Sequence, residues 1–298
     1  MKMSKKILVS VVIPTYNRQH YLKNCLERLA NQTISQNSFE VIVVDDGSTC
    51  DISRVTNQFS NRIKNLSLIR IEDNTGKPGF VRNTGVKRAK GDVVAFIDDD
   101  CIAAIDWIEK IVFYHKRFRN INVIQGLLDN ANKKNVYGVL WKFILDLNIN
   151  QKTRHSKLKY DYIDLLGTDN LSVKKRIFNK FAFSNDLNAR EDELFRLQLK
   201  KSSIDILYIP GIAVKHDCRK TLFSFLKQNF IYGSADFSMK KSFSNDKTTS
   251  PSLMNFAIFK LLFQKHGFSK CIKMFVLIIL KNVAYLTGFL HQKLFVRA

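Results

Sequence analysis

The chain has 298 residues, 45% of them hydrophobic, which is enough to bury a sizeable core and marks a globular protein, long for one domain without requiring two. Lysine and arginine outnumber aspartate and glutamate by 48 to 26, and the net charge of +22 points to anionic partners: phosphate-rich small molecules, nucleic acid or an anionic lipid surface. Five cysteines (Cys25, Cys50, Cys101, Cys218, Cys271), odd in number and without C-x-x-C spacing, argue against a zinc site or a disulfide framework and for reduced thiols in a cytoplasmic compartment.

The N-terminal "MKMSKKILVSVVIPTYN" has the basic start and apolar run of a signal peptide. The run is too short and stops at Pro14 without a small-residue cleavage site, so it reads as a first strand over 7–13. "HYLKNCLERLANQ" (20–32) carries Leu22, Leu26 and Leu29 at helical spacing. "FEVIVVDD" (39–46) and "LSLIRI" (66–71) are strands, "GFVRNTGVKRAKG" (79–91) is a helix closed by glycine, and "DVVAFID" (92–98) is a fourth strand. Strands separated by helices of this length imply βαβ units, a mostly parallel sheet with helices on both faces, and ligands at the carboxyl ends of the strands.

Both acidic clusters fall on that edge. Asp45 and Asp46 close one strand; Asp98, Asp99 and Asp100 close another. In an extended chain Asp98 and Asp100 point to one side and Asp99 to the other. Two converging carboxylates suit a hard divalent cation, Mg²⁺ or Mn²⁺, which also relieves their repulsion; a solvated, Asx-capped turn is the alternative.

Further along, "AAIDWIEKIVFYHKRF" (103–118) is an amphipathic helix, and 120–160 is Asn- and Lys-rich around one helix, 136–147. "REDELFRLQLKK" (190–201) is a charged helix, and "IDILYIPGIAVKHD" (204–217) reads as two short strands around Pro210 and Gly211. From 220 the character shifts. A basic, aromatic helix (221–241) is followed by a polar linker (242–252) and two apolar helical stretches, 253–263 and 274–290. Lys281 and Asn282 sit near the middle of the last stretch, and a central lysine costs roughly 2.5–3.5 kcal/mol on insertion. Lying in a membrane interface therefore fits better than crossing; a hairpin packed on the protein's own core is the alternative.

Taken in order on a parallel sheet, "IPTYNR" (13–18), "VDDGS" (44–48), "NTGKPGFVRNTG" (74–85) and "IDDD" (97–100) resemble the family-2 inverting glycosyltransferases of the GT-A fold, bacterial type. The resemblance runs from about residue 8 to 235. It implies an α/β, GT-A-like domain over 1–219, a mostly parallel sheet flanked by helices, and the basic and apolar stretches over 220–298 read as a helical extension suited to a membrane surface. It also implies a nucleotide-sugar donor, a UDP-sugar first, with Mn or Mg as cofactor and sugar transfer with inversion. By position in the motifs, Pro14, Thr15 and Tyr16 line the base pocket, Asp46 hydrogen-bonds the base, and Arg82 lies near the nucleotide. Asp98 and Asp100 form the D-x-D pair, with Asp100 the direct metal ligand and Asp99 near the ribose; His216 in "AVKHD" gives a further contact to metal or diphosphate. "REDELF" makes Asp192 the general base and Glu191 its neighbour at the acceptor.

Two departures stand out: "CIAAID" lacks the usual proline after the D-x-D, and Arg190 replaces the frequent glycine before the glutamate. No Q-x-x-R-W-type element of processive synthases is visible, which favours single-sugar, hexosyl-type transfer. The reading is a cytoplasmic enzyme, peripheral at the inner face of the cell membrane, acting on a glycan or lipid-linked acceptor in surface polysaccharide or glycoconjugate biosynthesis, with no nucleic-acid partner. A nucleic-acid-binding protein using the basic, aromatic surface, or a GT-A-like nucleotidyltransferase, is the alternative.

Overall fold

The computed structural model describes residues 6–153, 160–242, 261–264 and 267–295. Nine strands form one sheet in the order β3-β2-β1-β4-β8-β6-β9-β5, with β7 paired to β9. The first half is parallel: β1 (Val9–Thr15) lies between β2 (Phe39–Asp46) and β4 (Val93–Phe96), and β3 (Leu66–Ile71) flanks β2. The parallel character expected from the βαβ pattern is interrupted there and returns only where Val123–Asn130 pairs with Ile206–His216. β8 (Leu171–Lys174) enters antiparallel between β4 and β6 (Val123–Asn130), so the sheet is mixed.

The continuous apolar runs of β1, β2 and β4 follow from burial on both faces. With period-two alternation, Val9, Val11, Ile13, Val41, Val43 and Ala95 pack under α1 (Gln19–Ala30), α2 (Ile52–Asn57) and α4 (Trp107–Arg117). Val12, Ile42, Val44, Val94 and Phe96 pack on the other face against α3 (Pro78–Arg88) and α6 (Glu191–Lys201).

Several elements differ from the expected ones. The helix expected from 103 starts at Trp107, and Cys101–Ala103 forms a short strand, β5, antiparallel to β9 (Ile206–His216). β9 is one strand, not two: its pairing with β6 slips between Gly126 and Leu127, and the slip absorbs Pro210 and Gly211. α5 runs over Val136–Lys152, longer than expected, with the Asn135 side chain accepting from Tyr137 N at 3.1 Å. Strand β6, in the least readable part of the sequence, was not anticipated. β7 is the two-residue strand Asp161–Tyr162.

Two long helices follow, α7 (Leu222–Ser242) and α8 (Phe268–Phe295), and they pack closely on each other. Leu140 and Phe143 of α5, Phe225 of α7 and Cys271, Met274, Leu277 and Ile278 of α8 belong to one apolar cluster. Ser242, expected to open a linker over 242–252, instead ends α7, and the rest of that linker with most of the stretch 253–263 lies outside the described residues.

Candidate active site

The carboxyl ends of β1, β2 and β4 place Thr15, Asp46 and Asp98–Asp100 along one edge of the sheet. After β2 the chain turns through Gly47 at φ 72°, in the left-handed region glycine tolerates; a Cβ there would lie 2.4 Å from Asn74 N. This close approach lets the 74–76 segment wrap Asp46. Its Oδ1 accepts from Thr75 N (3.0 Å) and Thr75 Oγ1 (2.8 Å), and its Oδ2 accepts from Asn74 Nδ2 (3.0 Å) and Gly76 N (3.2 Å). The Asp46 carboxylate thus fixes the turn ahead of α3. Asp45 accepts from Ser48 N at 3.0 Å and Arg70 Nη1 at 2.9 Å.

The three aspartates after β4 are met by Arg82, Arg18 and His216. Asp98 accepts from Arg82 Nη2 at 2.7 Å. Asp99 accepts from Thr15 Oγ1 at 2.8 Å and from Arg18 Nη1 at 3.1 Å, and the same nitrogen reaches Asp100 Oδ2 at 2.8 Å. The antiparallel register of β5 and β9, Cys101 opposite His216, brings His216 Nε2 to 3.3 Å from Asp100 Oδ1. Burial pushes the Asp99 carboxyl up to about 6 against the pull of Arg18. Asp100 is equally buried, yet His216 and Arg18 hold it well below the usual carboxylate range, and the Asp100 bond holds the buried His216 imidazole well above its own.

Asp100, Cys101 and His216 offer ligand atoms that all lie within 4.8 Å of one another, and Asp98 is not part of that group. Burial, reinforced by Asp100, raises the Cys101 thiol well above its ordinary value and keeps it neutral. The usable donors are the Asp100 carboxylate and, once an incoming cation displaces the proton it shares with Asp100, the His216 imidazole, a pair that fits a divalent cation keeping open positions for water and phosphate oxygens.

Arg82 joins this edge to α6. Its other terminal nitrogen, Nη1, donates to Glu191 Oε1 in a buried ion pair. Asp192 follows at the first turn of α6, and burial together with the Glu191 charge lifts its carboxyl to about 7. A group of that kind can take a proton at neutral pH. Tyr16 stands exposed at the end of β1, with Pro14 half-buried beside it.

The structure therefore gathers predicted residues into two adjoining networks, Thr15–Asp99–Arg18–Asp100–His216 and Asp98–Arg82–Glu191, with Asp192 beside the second. Asp46 stands apart in its own turn, and Asp98 and Asp100 face different cations. Sequence reasoning missed three contributors. Arg18 bridges two aspartates, and its signal was present in "YNR" directly after the first strand. Asp169, on the short turn Thr168–Asn170, is pushed up to about 6 by burial, with His216 opposing and Asp98 adding to the shift. Trp141 on α5 lies with its ring 5.0 Å from that of His216.

The sequence profile described as glycosyl transferase family 2 matches residues 10–184. A poly(ribitol-phosphate) beta-glucosyltransferase of Bacillus spizizenii is 28% identical over 235 residues, covering 76% of this chain but only 36% of that protein. The chain thus matches little more than a third of that relative's length. TarS of S. aureus, residues 1–349 in complex with UDP, superposes with a TM-score of 0.58 at 18% identity, covering 96% of this chain and 91% of that one. The mannosyltransferase PcManGT of Pyrobaculum calidifontis, in complex with GDP-Man and Mn²⁺, superposes with a TM-score of 0.70 at 13% identity, covering 99% and 89%. The profile spans more than half of the sequence and the superpositions agree with it in fold: the chain belongs to glycosyl transferase family 2 and has the GT-A fold.

Proposed function

We propose that this protein is a metal-dependent, inverting glycosyltransferase that moves one sugar from a nucleotide-sugar donor, a UDP-sugar first, to a glycan acceptor carried on a lipid. The observation that carries this reading is Arg82, whose two terminal nitrogens tie Asp98 at the donor edge to Glu191 beside Asp192. One guanidinium thus sets the distance between a place for the leaving diphosphate and a base.

In this reading Pro14, Thr15 and Tyr16 line the base pocket, Asp46 exchanges one of its four turn hydrogen bonds for one to the base, and Asp99 lies near the ribose. Asp100 and His216, with Asp98 beside them, would hold Mn²⁺ or Mg²⁺, which supplies positive charge to the departing diphosphate. Asp192 takes the proton of the acceptor hydroxyl while that oxygen attacks the anomeric carbon. The bond to the diphosphate breaks on the opposite face, which inverts the configuration. Glu191, held by Arg82, orients the acceptor.

We assign residues 1–219 to the transferase domain and 220–298 to an extension that meets the inner face of the cell membrane. Among the described residues α8 is the one helix long and apolar enough to cross a bilayer. Its outward face carries Ile272, Val276, Ile279, Val283, Leu286 and Leu290, 43–53% exposed, while Lys281 and Asn282 are half-buried. An apolar outer face with its lysine drawn inward suits a lipid interface better than water. The excess of basic residues suits anionic lipid and phosphate-bearing acceptors, of which poly(ribitol phosphate), named for the Bacillus spizizenii relative, is the first to try.

Calorimetric binding of UDP, GDP and dTDP with and without Mn²⁺, on the wild type and on Asp100→Asn, tests the donor site. Metal-dependent binding of one nucleotide, lost in the variant, is expected. Absence of binding by all three to folded protein would overturn the reading, and release of pyrophosphate instead of nucleoside diphosphate would favour a nucleotidyltransferase.

A further inference from the structure

Arg190 precedes Glu191 and Asp192 with φ 67°, a left-handed conformation in which glycine is unstrained and arginine is not. Something has to hold it there. Its guanidinium reaches across to α7, where Nη2 donates to Asp236 Oδ2 at 3.3 Å and Nε lies 3.1 Å from Oδ1, off the line of a hydrogen bond. The same group lies 4.6 Å above the Tyr232 ring. Asp236 is almost fully buried and is held from α8, where Tyr285 Oη donates to its Oδ2 at 2.6 Å.

The two helices are locked together at this level. A Cβ on Gly233 would lie 1.9 Å from the Tyr285 carbonyl oxygen, and one on Gly288 would lie 2.0 Å from that of Phe230. Asp236 and Tyr285 therefore stand on a close-packed platform that leaves little room for either helix to shift. We propose that the α7–α8 pair is part of the catalytic apparatus, acting through the Tyr285–Asp236–Arg190 chain to fix the left-handed turn that aims Asp192, with Arg190 as the positioning residue. The inference rests on Asp192 being the base, and it gives the C-terminal helices a task separate from any membrane contact.

The titratable and charged groups around Asp192 are Arg190, Glu191 and Glu193 of its own segment, the neutral Tyr232 from α7 and Arg82 from α3. Arg190 favours the ionised form of Asp192 and the two glutamates oppose it. Loss of the Arg190 charge therefore raises the Asp192 midpoint.

The test uses the full chain with Mn²⁺, the donors UDP-glucose, UDP-N-acetylglucosamine and GDP-mannose, and poly(ribitol phosphate) or water as acceptor, reading release of nucleoside diphosphate. Asp236→Asn is expected to lower kcat about tenfold, and Tyr285→Phe, the milder variant, a few-fold, with the donor KM unchanged. Arg190→Gly, which keeps the turn without a tether, is expected to lose less than Arg190→Ala. In the Arg190→Gly background Asp236→Asn should have no further effect. Equal loss from Asp236→Asn in both backgrounds, or no difference between Arg190→Gly and Arg190→Ala, would show that Asp236 only packs and would overturn the proposal.

A donor-independent reading comes from carboxyl-carbon NMR of aspartate-labelled protein, with the Asp192 signal identified by its absence in Asp192→Asn. Arg190→Gln should raise its midpoint by about one pH unit, and an unmoved midpoint counts against the proposal. Turnover that survives Asp192→Asn would instead overturn the base assignment on which the inference stands.

Discussion

Arg82 and Glu191, 109 residues apart in sequence, meet as a buried ion pair beneath the candidate active site. The pair fastens α6 to α3, and through Asp98 it fastens both to the end of β4.

Removing one partner of such a pair leaves the other charged and buried. Arg82→Gln is expected to cost roughly 3–5 kcal/mol, because Glu191 loses its counter-charge, and to abolish turnover. Arg82→Lys restores the charge but not the two-pronged reach to Asp98 and Glu191, so it should recover much of the stability and little of the activity. Thermal unfolding and kcat, measured on both variants, separate the two effects. An Arg82→Gln protein that melts with the wild type would refute the structural role.

Asp192 carries a pH signature. With its carboxyl at about 7 in the folded protein, the ionised form of this proposed base is lost as pH falls through that value, and kcat should drop along an acid limb centred near pH 7. The stability effect has the opposite direction. A carboxyl whose folded pKa is raised stabilises the fold fully only below its unfolded value, near 3.9, and that contribution disappears as pH rises through 7. Asp192→Asn should therefore gain stability, on the order of 2 kcal/mol above pH 8 and almost nothing at pH 4, while losing at least a hundredfold in kcat. Parallel melting curves of variant and wild type at both pH values would contradict the raised carboxyl.

The strand ends that build this site were legible because β1, β2 and β4 are apolar runs buried on both faces, and a run that ends on carboxylates marks itself. Strand β6 was not, since Gln125 and Gly126 interrupt its apolar pattern. Gln125 is tolerated in the core only because its Nε2 donates to Asn170 O at 3.1 Å and its Oε1 accepts from Gly167 N at 2.8 Å, partners more than forty residues away. β5 is three residues long, and only pairing with β9 makes it a strand. The sequence flagged Arg190 as an oddity and left its reason out of sight, because Asp236 lies within a basic, aromatic helix where no local pattern links it to Arg190 or Asp192.

Arg18 occupies the place a metal would compete for. Its Nη1 neutralises Asp99 and Asp100 together, while Thr15 and His216 hold the same two carboxylates independently. Arg18→Gln should therefore leave the aspartates in position and remove a competing charge, so that Mn²⁺ binds several-fold more tightly in the absence of nucleotide. Titration of free Mn²⁺ by its electron paramagnetic resonance signal reads this directly. Weaker binding in Arg18→Gln would mean that the arginine arranges the carboxylates, and Asp100→Asn, which should lose the ion, serves as the reference.

The outward stripe of α8 makes the membrane reading testable apart from the chemistry. Val276, Val283 and Leu290 alternate with Ile272, Ile279 and Leu286 at three- and four-residue steps along one exposed face of the helix. Val283→Asp puts a charge at the centre of that face without touching the side that packs on α7. Losing one valine that enters the lipid interface removes on the order of 2 kcal/mol, and binding to phosphatidylglycerol-rich vesicles should fall about thirtyfold. High salt should weaken the wild type further, since the basic surface contributes through screened attraction. Donor binding should be unchanged, because the stripe lies outside the network around Arg82. Vesicle binding that survives the substitution would refute lipid as the occupant of this face, and a drop in oligomeric mass on ultracentrifugation would assign it to a second copy of the chain.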